Sequence, residues 1–396
     1  MKPSQLERIG VWSLYGFVAA LQVSIAAAQI LLALMILCWL GLLVTRRASF
    51  AAPAFFRALL VYGVMTLVAT AFSVDPWVSL KDDKQLLLFL TVPAVYELAR
   101  GGRARIVTTI IISVGAASAA YGIVQYGILH YNNLGQRPQG TMGHYMTYSG
   151  LLMMVTTLAL ARILFDNRDR AWPLIVMPAL VAALVLTFTR SAWVGASVAV
   201  ATLLLLKDFR LIGALPVVVA IAIAIAPPQV TQRVYSMFDL KDPTSRDRVA
   251  MLREGVRMIE ADPLTGMGPN MVERQYIRFR DTDSVERVNP HLHNVPMQIA
   301  AERGLPALAA WAWFIAGAAA GIWPLLRRGR ARVLAAAGLG AIAGMLGAGL
   351  FEHNFGNSMF LMLFFVLITL PFASERDDPA EGPGPVAGTA AGTASP

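Results

Sequence analysis

The chain has 396 residues, 57% of them hydrophobic and 14% charged, with a formal net charge of +9. Soluble domains carry about 25% charged and 45–50% apolar residues, so both values exclude an ordinary soluble globular protein and point to a membrane protein. The basic excess, which in a soluble chain suggests nucleic acid, reads here as arginines and lysines at the cytoplasmic ends of spans, so no nucleic-acid partner is expected.

Apolar residues fall in long blocks such as 107–127, 173–188, 211–226 and 335–351, which carry almost no charge. A helix needs about 20 mostly apolar residues to cross the hydrocarbon core, and in lipid every backbone group must be bonded internally. The predicted fold is therefore all-α, a polytopic membrane protein with about twelve spans and one long helical loop. In chain order the spans are 10–26, 28–45, 55–73, 85–99, 106–128, 145–164, 172–189, 191–206, 211–227, 304–326, 333–351 and 356–373. The first apolar block follows Lys2 and Arg8 and reads as a retained span, because further spans follow directly with no cleavage site leading into a soluble domain. The one cysteine, Cys38, lies inside a span, which excludes an intramolecular disulfide and a cysteine-built metal site.

The basic clusters at 46–47, 100–105, 162–170, 207–210 and 327–332 fall on one side, which the positive-inside rule makes cytoplasmic, with both termini. The loops 73–84, 130–144, 228–303 and 352–357 and the turn at Arg190 are then periplasmic. The organisation expected is transmembrane helices over 1–227, a periplasmic loop over 228–303, transmembrane helices over 304–373 and a disordered cytoplasmic tail over 374–396. The location expected is a bacterial inner membrane with an active periplasmic face. No internal repeat is visible.

Within 228–303, the spacing of Val249, Leu252, Val256 and Ile259 predicts an amphipathic helix over 245–261 with those residues on one apolar face. Thr244 or Ser245 caps it, and Asp262-Pro263 ends it. A second helix is expected over 272–280. A third begins at His293-Asn294, with Asn294 as cap and Pro296 in the first turn.

Arg190 sits at the seam between two apolar blocks, either snorkelling at the interface or facing a wet, paired cavity. Arg246 and Arg248 add positive charge from the loop. Arginine suits a pyrophosphate through its planar fork, although Asp247, Glu254 and Glu260 would also make a salt-bridged helix face. The five histidines, at 130, 144, 291, 293 and 353, all fall on the periplasmic side, which suggests a reaction centre or a polar cavity. Histidine suits general-base work near neutral pH. Metal binding through His291, His293 and His353 is the rival role, but no carboxylate cluster accompanies them, and no metal is expected. Arg137, with Gly140, Thr141 and His144, and Lys81 with Lys84 lie at span ends on the same side, as interfacial anchors or ligand contacts. There is no phosphate-binding glycine loop and no Asp-x-Asp pair, so a soluble nucleotide donor is not expected.

Three segments carry a family likeness. They are Thr187-Phe188-Thr189-Arg190-Ser191; Arg248 through Leu252, followed by Pro263-Leu-Thr-Gly266-Met-Gly268; and His293-Asn294-x-x-Met297-Gln298, followed by Ala301-Glu302-x-Gly304-Leu305. In this order, around one long loop, they resemble the O-antigen ligase and O-antigen polymerase superfamily. Leu252 stands where that family usually has an aromatic residue. The likeness implies a glycosyltransferase that moves a glycan from undecaprenyl pyrophosphate to a hydroxyl of an acceptor, which for a ligase is a sugar of the lipid A-core. It implies that Arg190 and Arg248 bind pyrophosphate and that His293 is the base. Arg246, Arg137, Lys81, His291 and His353 are candidates for further pyrophosphate or glycan contacts. No cofactor is expected, because the donor is already activated, and a single displacement would invert the anomeric centre.

The rival within the superfamily is the polymerase, whose acceptor is another lipid-linked repeat unit. Periplasmic protein oligosaccharyltransferases tend to have a larger C-terminal domain. A secondary transporter, from a different class, would show repeats and midplane polar residues, whereas here the polar residues gather on one face.

Overall fold

The computed structural model describes residues 4–377 except 217–219, 221–223, 225, 238, 240, 241 and 330. Among the described residues the protein is helical and has no strand. Six helices among the described residues are long and apolar enough to cross a membrane: α2 (Ile25–Val44), α6 (Arg103–Gly127), α7 (Tyr145–Phe165), α9 (Arg190–Lys207), α13 (Val295–Ile322, continued to Arg327) and α14 (Arg332–Gly349). Shorter apolar helices join them: α1 (Gln5–Ala20), α3 (Phe56–Ala71), α8 (Ala171–Leu186) and α15 (Ser358–Ser374). The chain is an all-α multi-pass membrane protein. Its outer surface is apolar, as at Ile30 and Leu37 of α2, which is the pattern lipid requires.

The expected span at 85–99 is built in two pieces. A 3-10 stretch, Asp83–Leu90, follows the short α4 (Pro76–Asp82) and runs into α5 (Thr91–Leu98). Pro93 has no N–H for the Phe89 carbonyl, so bonds to the third residue replace the α pattern upstream. The expected span 211–227 lies partly outside the described residues, at 217–219, 221–223 and 225; a 3-10 turn, Phe209–Ala214, opens it. Most of the expected tail is likewise outside them.

Two packing relations position the site. Helix α15 is apolar on all sides and is buried along nearly its whole length at the centre of the bundle. Helices α9 and α14 pack through small residues: a Cβ at Gly195 would come within 2.6 Å of the Gly344 carbonyl. This close antiparallel contact sets the start of α9, at Arg190, beside the end of α14 and the loop 350–357. The basic clusters gather at the opposite end, where Arg105 pairs with Asp166 and Arg376 with Glu97.

The long loop forms α10 (Pro228–Tyr235), α11 (Pro243–Ala261) and α12 (Val272–Phe279). Asp242, not Thr244 or Ser245, caps α11, accepting the amides of both. Helix α11 forms as expected, and most of its apolar stripe faces outward. Val249, Leu252 and Val256 are 40%, 43% and 45% exposed, while Asp247, Met251, Glu254 and Met258 are buried. Asp247 and Glu254 face inward because they accept backbone amides from the loop after α12, at Val285, Glu286 and Asp281. Unbonded buried amides would cost more than the apolar stripe gains by turning inward.

Helix α13 starts as expected, with Asn294 accepting the Met297 amide at 2.9 Å. It kinks at Gly304 (φ 79°), just before Pro306. The kink frees the carbonyls of Ala301 and Glu302. The amides of Met267 and Gly268 take them at 3.0 and 2.9 Å, and the Leu305 amide bonds the Pro263 carbonyl at 2.8 Å. The Pro263–Gly268 turn is thus a backbone plug for the broken helix. Its glycine at 266, also left-handed at φ 67°, lies where a Cβ would meet the Glu302 backbone.

Candidate active site

The site is built at the end of the bundle that carries residues 228–303. Helix α8 stops at Leu186, Phe188 takes a left-handed φ of 53°, and α9 begins at Arg190. That turn drives the Arg190 side chain inward, to 5% exposure. Its Nη1 donates to the carbonyl of Ser236 at 3.0 Å and its Nη2 to Asp242 Oδ1 at 3.4 Å, while Nε has no partner. Arg190 is therefore buried and paired, not snorkelling, and it ties the long loop to α9.

Three more arginines converge on it. Arg248, from α11, has no hydrogen bond or ion pair among the described residues and lies 5.9 Å from the Phe351 ring. Burial first, then the charge of Arg190, pulls its guanidinium below the ordinary value. Burial, with Arg190 and Arg137, lowers Arg233 of α10 to about 10, and its Nε is buried without a partner. Arg137 stacks over Tyr145 at 4.2 Å and is lowered by burial and by Arg190, with Tyr145 opposing. Burial raises the carboxyl of Asp242, but Arg190, the Ser245 amide and Arg233 outweigh it and hold it below its usual range. The four guanidiniums face few carboxylates. Such a cluster has the charge and donor geometry that suit a polyanion.

His293 adopts φ 48°, an uncommon conformation for a residue with a Cβ. Its neighbours hold it there. The Leu292 amide bonds Gln298 Oε1 at 2.7 Å, and Asn294 Nδ2 bonds the Leu350 carbonyl at 3.2 Å. The ring Nδ1 lies 3.1 Å from Glu352 Oε1. Burial raises Glu352, yet the bond to His293, its charge, the His353 amide and Arg248 bring the carboxyl below its usual range. An ionised Glu352 favours the tautomer with the proton on Nδ1, leaving Nε2 free to accept one.

His291 and His353 approach each other, ring centroids 4.9 Å apart. Burial lowers both, and the Arg303 guanidinium adds to it at His353, which moves furthest, so both are neutral.

Two cavities meet at His293 and Ser191. One, of about 280 Å³, is lined by Arg190 and Arg248 together with Val194, Val249, Leu252 and Leu350. The other, of about 350 Å³, is lined by His144, Thr147, His291, Glu352, His353 and Asn354 among others. The first joins cations to an apolar wall; the second has no lysine or arginine and sets polar His144, Thr147, His291, Glu352 and Asn354 among apolar Met146, Met153 and Phe360. Arg233 and Asp242 also face a third cavity, of about 340 Å³, beside Asn132 and Gln232.

The structure brings together Arg190, Arg248, His293, Arg137, His291 and His353. It does not bring in Arg246, which is exposed and lines none of these cavities, or Lys81, which lies over Trp77 at 5.4 Å. Among the described residues no group of three or more His, Cys, Asp and Glu is arranged to hold a metal. Sequence reasoning missed Arg233, Tyr145 and Asp242, and it covered Glu352 only as the first residue of the loop 352–357. The signal for Glu352 was its place beside a histidine at the start of the last span.

Residues 174–312, about a third of the chain, match the family model described as O-antigen ligase. No curated protein matches the chain.

Proposed function

We propose that this chain, whose residues 174–312 match the O-antigen ligase family model, belongs to the O-antigen ligase/polymerase superfamily and is a glycosyltransferase of the ligase type. It moves an O-antigen glycan from undecaprenyl pyrophosphate to a sugar hydroxyl of lipid A-core, at the periplasmic face of a bacterial inner membrane. The observation that carries this reading is the meeting of an arginine cavity and a polar cavity at one imidazole.

The donor pyrophosphate sits against Arg190 and Arg248, with its lipid along Val249, Leu252 and Leu350. The acceptor hydroxyl reaches His293 Nε2 from the polar cavity. The new bond forms between that oxygen and the anomeric carbon as the anomeric carbon–oxygen bond to phosphate breaks. The hydroxyl proton passes to His293, and the departing pyrophosphate takes the bonding pair. Arginines fixed before the reaction stabilise that growing negative charge more than the ground state. Glu352 stabilises the imidazolium that forms. A single displacement inverts the anomeric centre, and no metal takes part.

The test uses purified protein in nanodiscs with lipid-linked O-antigen, lipid A-core and a chelator, read on a gel. The expected result is glycosylated lipid A-core from the native protein and none from His293→Ala, with donor binding retained. Full activity in that variant would remove the assignment. Longer lipid-linked glycan formed without lipid A-core would mark a polymerase instead.

A further inference from the structure

A further cavity, of about 440 Å³, lies at the end of the bundle opposite the candidate site. It opens between the first turn of α6, the last turn of α7, the start of α14 and the end of α15. Arg105, Arg162 and Arg168 line it, against one carboxylate, Asp166. That carboxylate is committed. Asp166 Oδ2 takes Arg105 at 2.9 Å, and Oδ1 takes the amides of Arg168 and Asp169 at 2.9 and 3.2 Å. Asp169 pairs with Arg105 as well.

The other two arginines have no carboxylate in contact. Arg162 is buried and donates to Thr109 Oγ1 at 2.8 Å and to the Asp169 carbonyl at 3.3 Å. The Arg168 side chain is exposed and has no hydrogen bond or ion pair among the described residues. Lys207 and Arg332 add positive charge over the ring of Phe165, at 5.5 and 5.6 Å. Even with Asp166 and Asp169 counted in full, positive charge is left over around the cavity.

Depth and wall chemistry narrow the class of anion. Helices α6, α7 and α14 are long and apolar enough to cross a membrane, so their ends lie at the level of lipid headgroups. Half-exposed Trp172, at the start of α8, suits the same level. The wall joins the arginines to apolar Phe165, Val333 and Leu334. The guanidinium fork fits phosphate, and basic pockets between membrane helices suit acidic headgroups. Free phosphate gains nothing from the apolar side chains, whereas a phosphodiester on a glyceride does. A zwitterionic lipid carries its own cation, which Arg168 repels.

We propose that this cavity binds the headgroup of an anionic phospholipid from the leaflet away from the candidate active site. The phosphate sits against Arg162 and Arg168, and the glyceride lies toward Phe165, Val333 and Leu334. The lipid thereby ties together the ends of α6, α7 and α14.

The experiment uses the full chain, stripped of lipid in a neutral maltoside detergent. Phosphatidylglycerol or phosphatidylcholine is added, and bound lipid is counted by native mass spectrometry. Phosphatidylglycerol should bind about tenfold tighter, and Arg168→Gln should weaken it by about fivefold. Arg47→Gln, an exposed arginine at the same end but outside the cavity, should leave it within about twofold. Equal binding of the two lipids would overturn the proposal. Equal losses in Arg168→Gln and Arg47→Gln would also overturn it, since attraction would then be diffuse. Displacement of the lipid by inorganic phosphate at equal concentration would assign the cavity to the free ion and overturn the lipid reading.

Discussion

Glu352 Oε1 accepts from two directions, lying 3.1 Å from Nδ1 of His293 and 3.1 Å from the amide of His353. One oxygen therefore orients the imidazole and anchors the turn that carries the carboxylate. Glu352→Gln keeps the shape but removes the charge that selects the tautomer. The expected result is a fall in kcat of about a hundredfold or more, with the donor KM little changed. Single-turnover kinetics at saturating donor would check it, and a native-like kcat would show that Glu352 does not orient the base.

Among the described residues the Arg248 side chain has no hydrogen bond to lose, so its removal acts on the ligand more than on the fold. Arg248→Ala should lower kcat/KM by about 10²-fold or more. Arg248→Lys should recover only part of it, since the planar fork is lost. Arg246→Ala and Lys81→Ala, outside the cavities, should stay within about twofold of native. Steady-state kinetics on the four variants would separate the cluster from its exposed neighbours.

His291 and His353 are neutral when folded because burial lowers both from 6.5. The unfolded chain therefore binds protons that the folded one does not as pH falls below 6.5. Their contribution to stability is complete above that value and declines toward the lower folded values. Thermal unfolding in detergent at pH 7.5, 6.5 and 5.5 should show a falling midpoint, with a shallower slope in His353→Phe. Equal slopes would mean that His353 is not the group being titrated.

The plug between the Pro263–Gly268 turn and the kinked α13 predicts a cost at a site remote from the chemistry. Gly304→Ala puts a Cβ into the Leu264 carbonyl at positive φ. It should destabilise by about 2 kcal/mol or more. Gly127→Ala, at the end of α6 with open space around its would-be Cβ, is the control and should be near neutral. Thermal melts of both variants test this.

Much of the fold was legible from residue chemistry. Long uncharged blocks gave the helices, and Asn294 with Pro296 gave the start of α13. The seam at Arg190 was legible because an arginine between two apolar blocks must be paired or wet. The face of α11 was not legible. Helical spacing identified an apolar stripe but not its direction, since beside lipid an exposed Leu252 or Val256 is no anomaly. The buried Asp247 and Glu254 settle that direction through the amides they accept, and those partners lie about 30 residues away or more. Arg233 left no pattern in the sequence; only folding brings α10 against Arg190. The Pro263–Gly268 motif was read as a family mark, and its physical work, capping a helix broken at Gly304, needed the backbone.

The shared wall at Ser191 and His293 has a kinetic corollary under the proposed reaction. With no alcohol present, the acceptor chamber is wet, and a water molecule there reaches the same imidazole that a sugar would. Resting enzyme loaded with donor should then leak: free glycan would accumulate slowly, and saturating acceptor would suppress it by displacing that water. The rate of such idle hydrolysis measures how well an empty chamber keeps solvent from the reacting carbon.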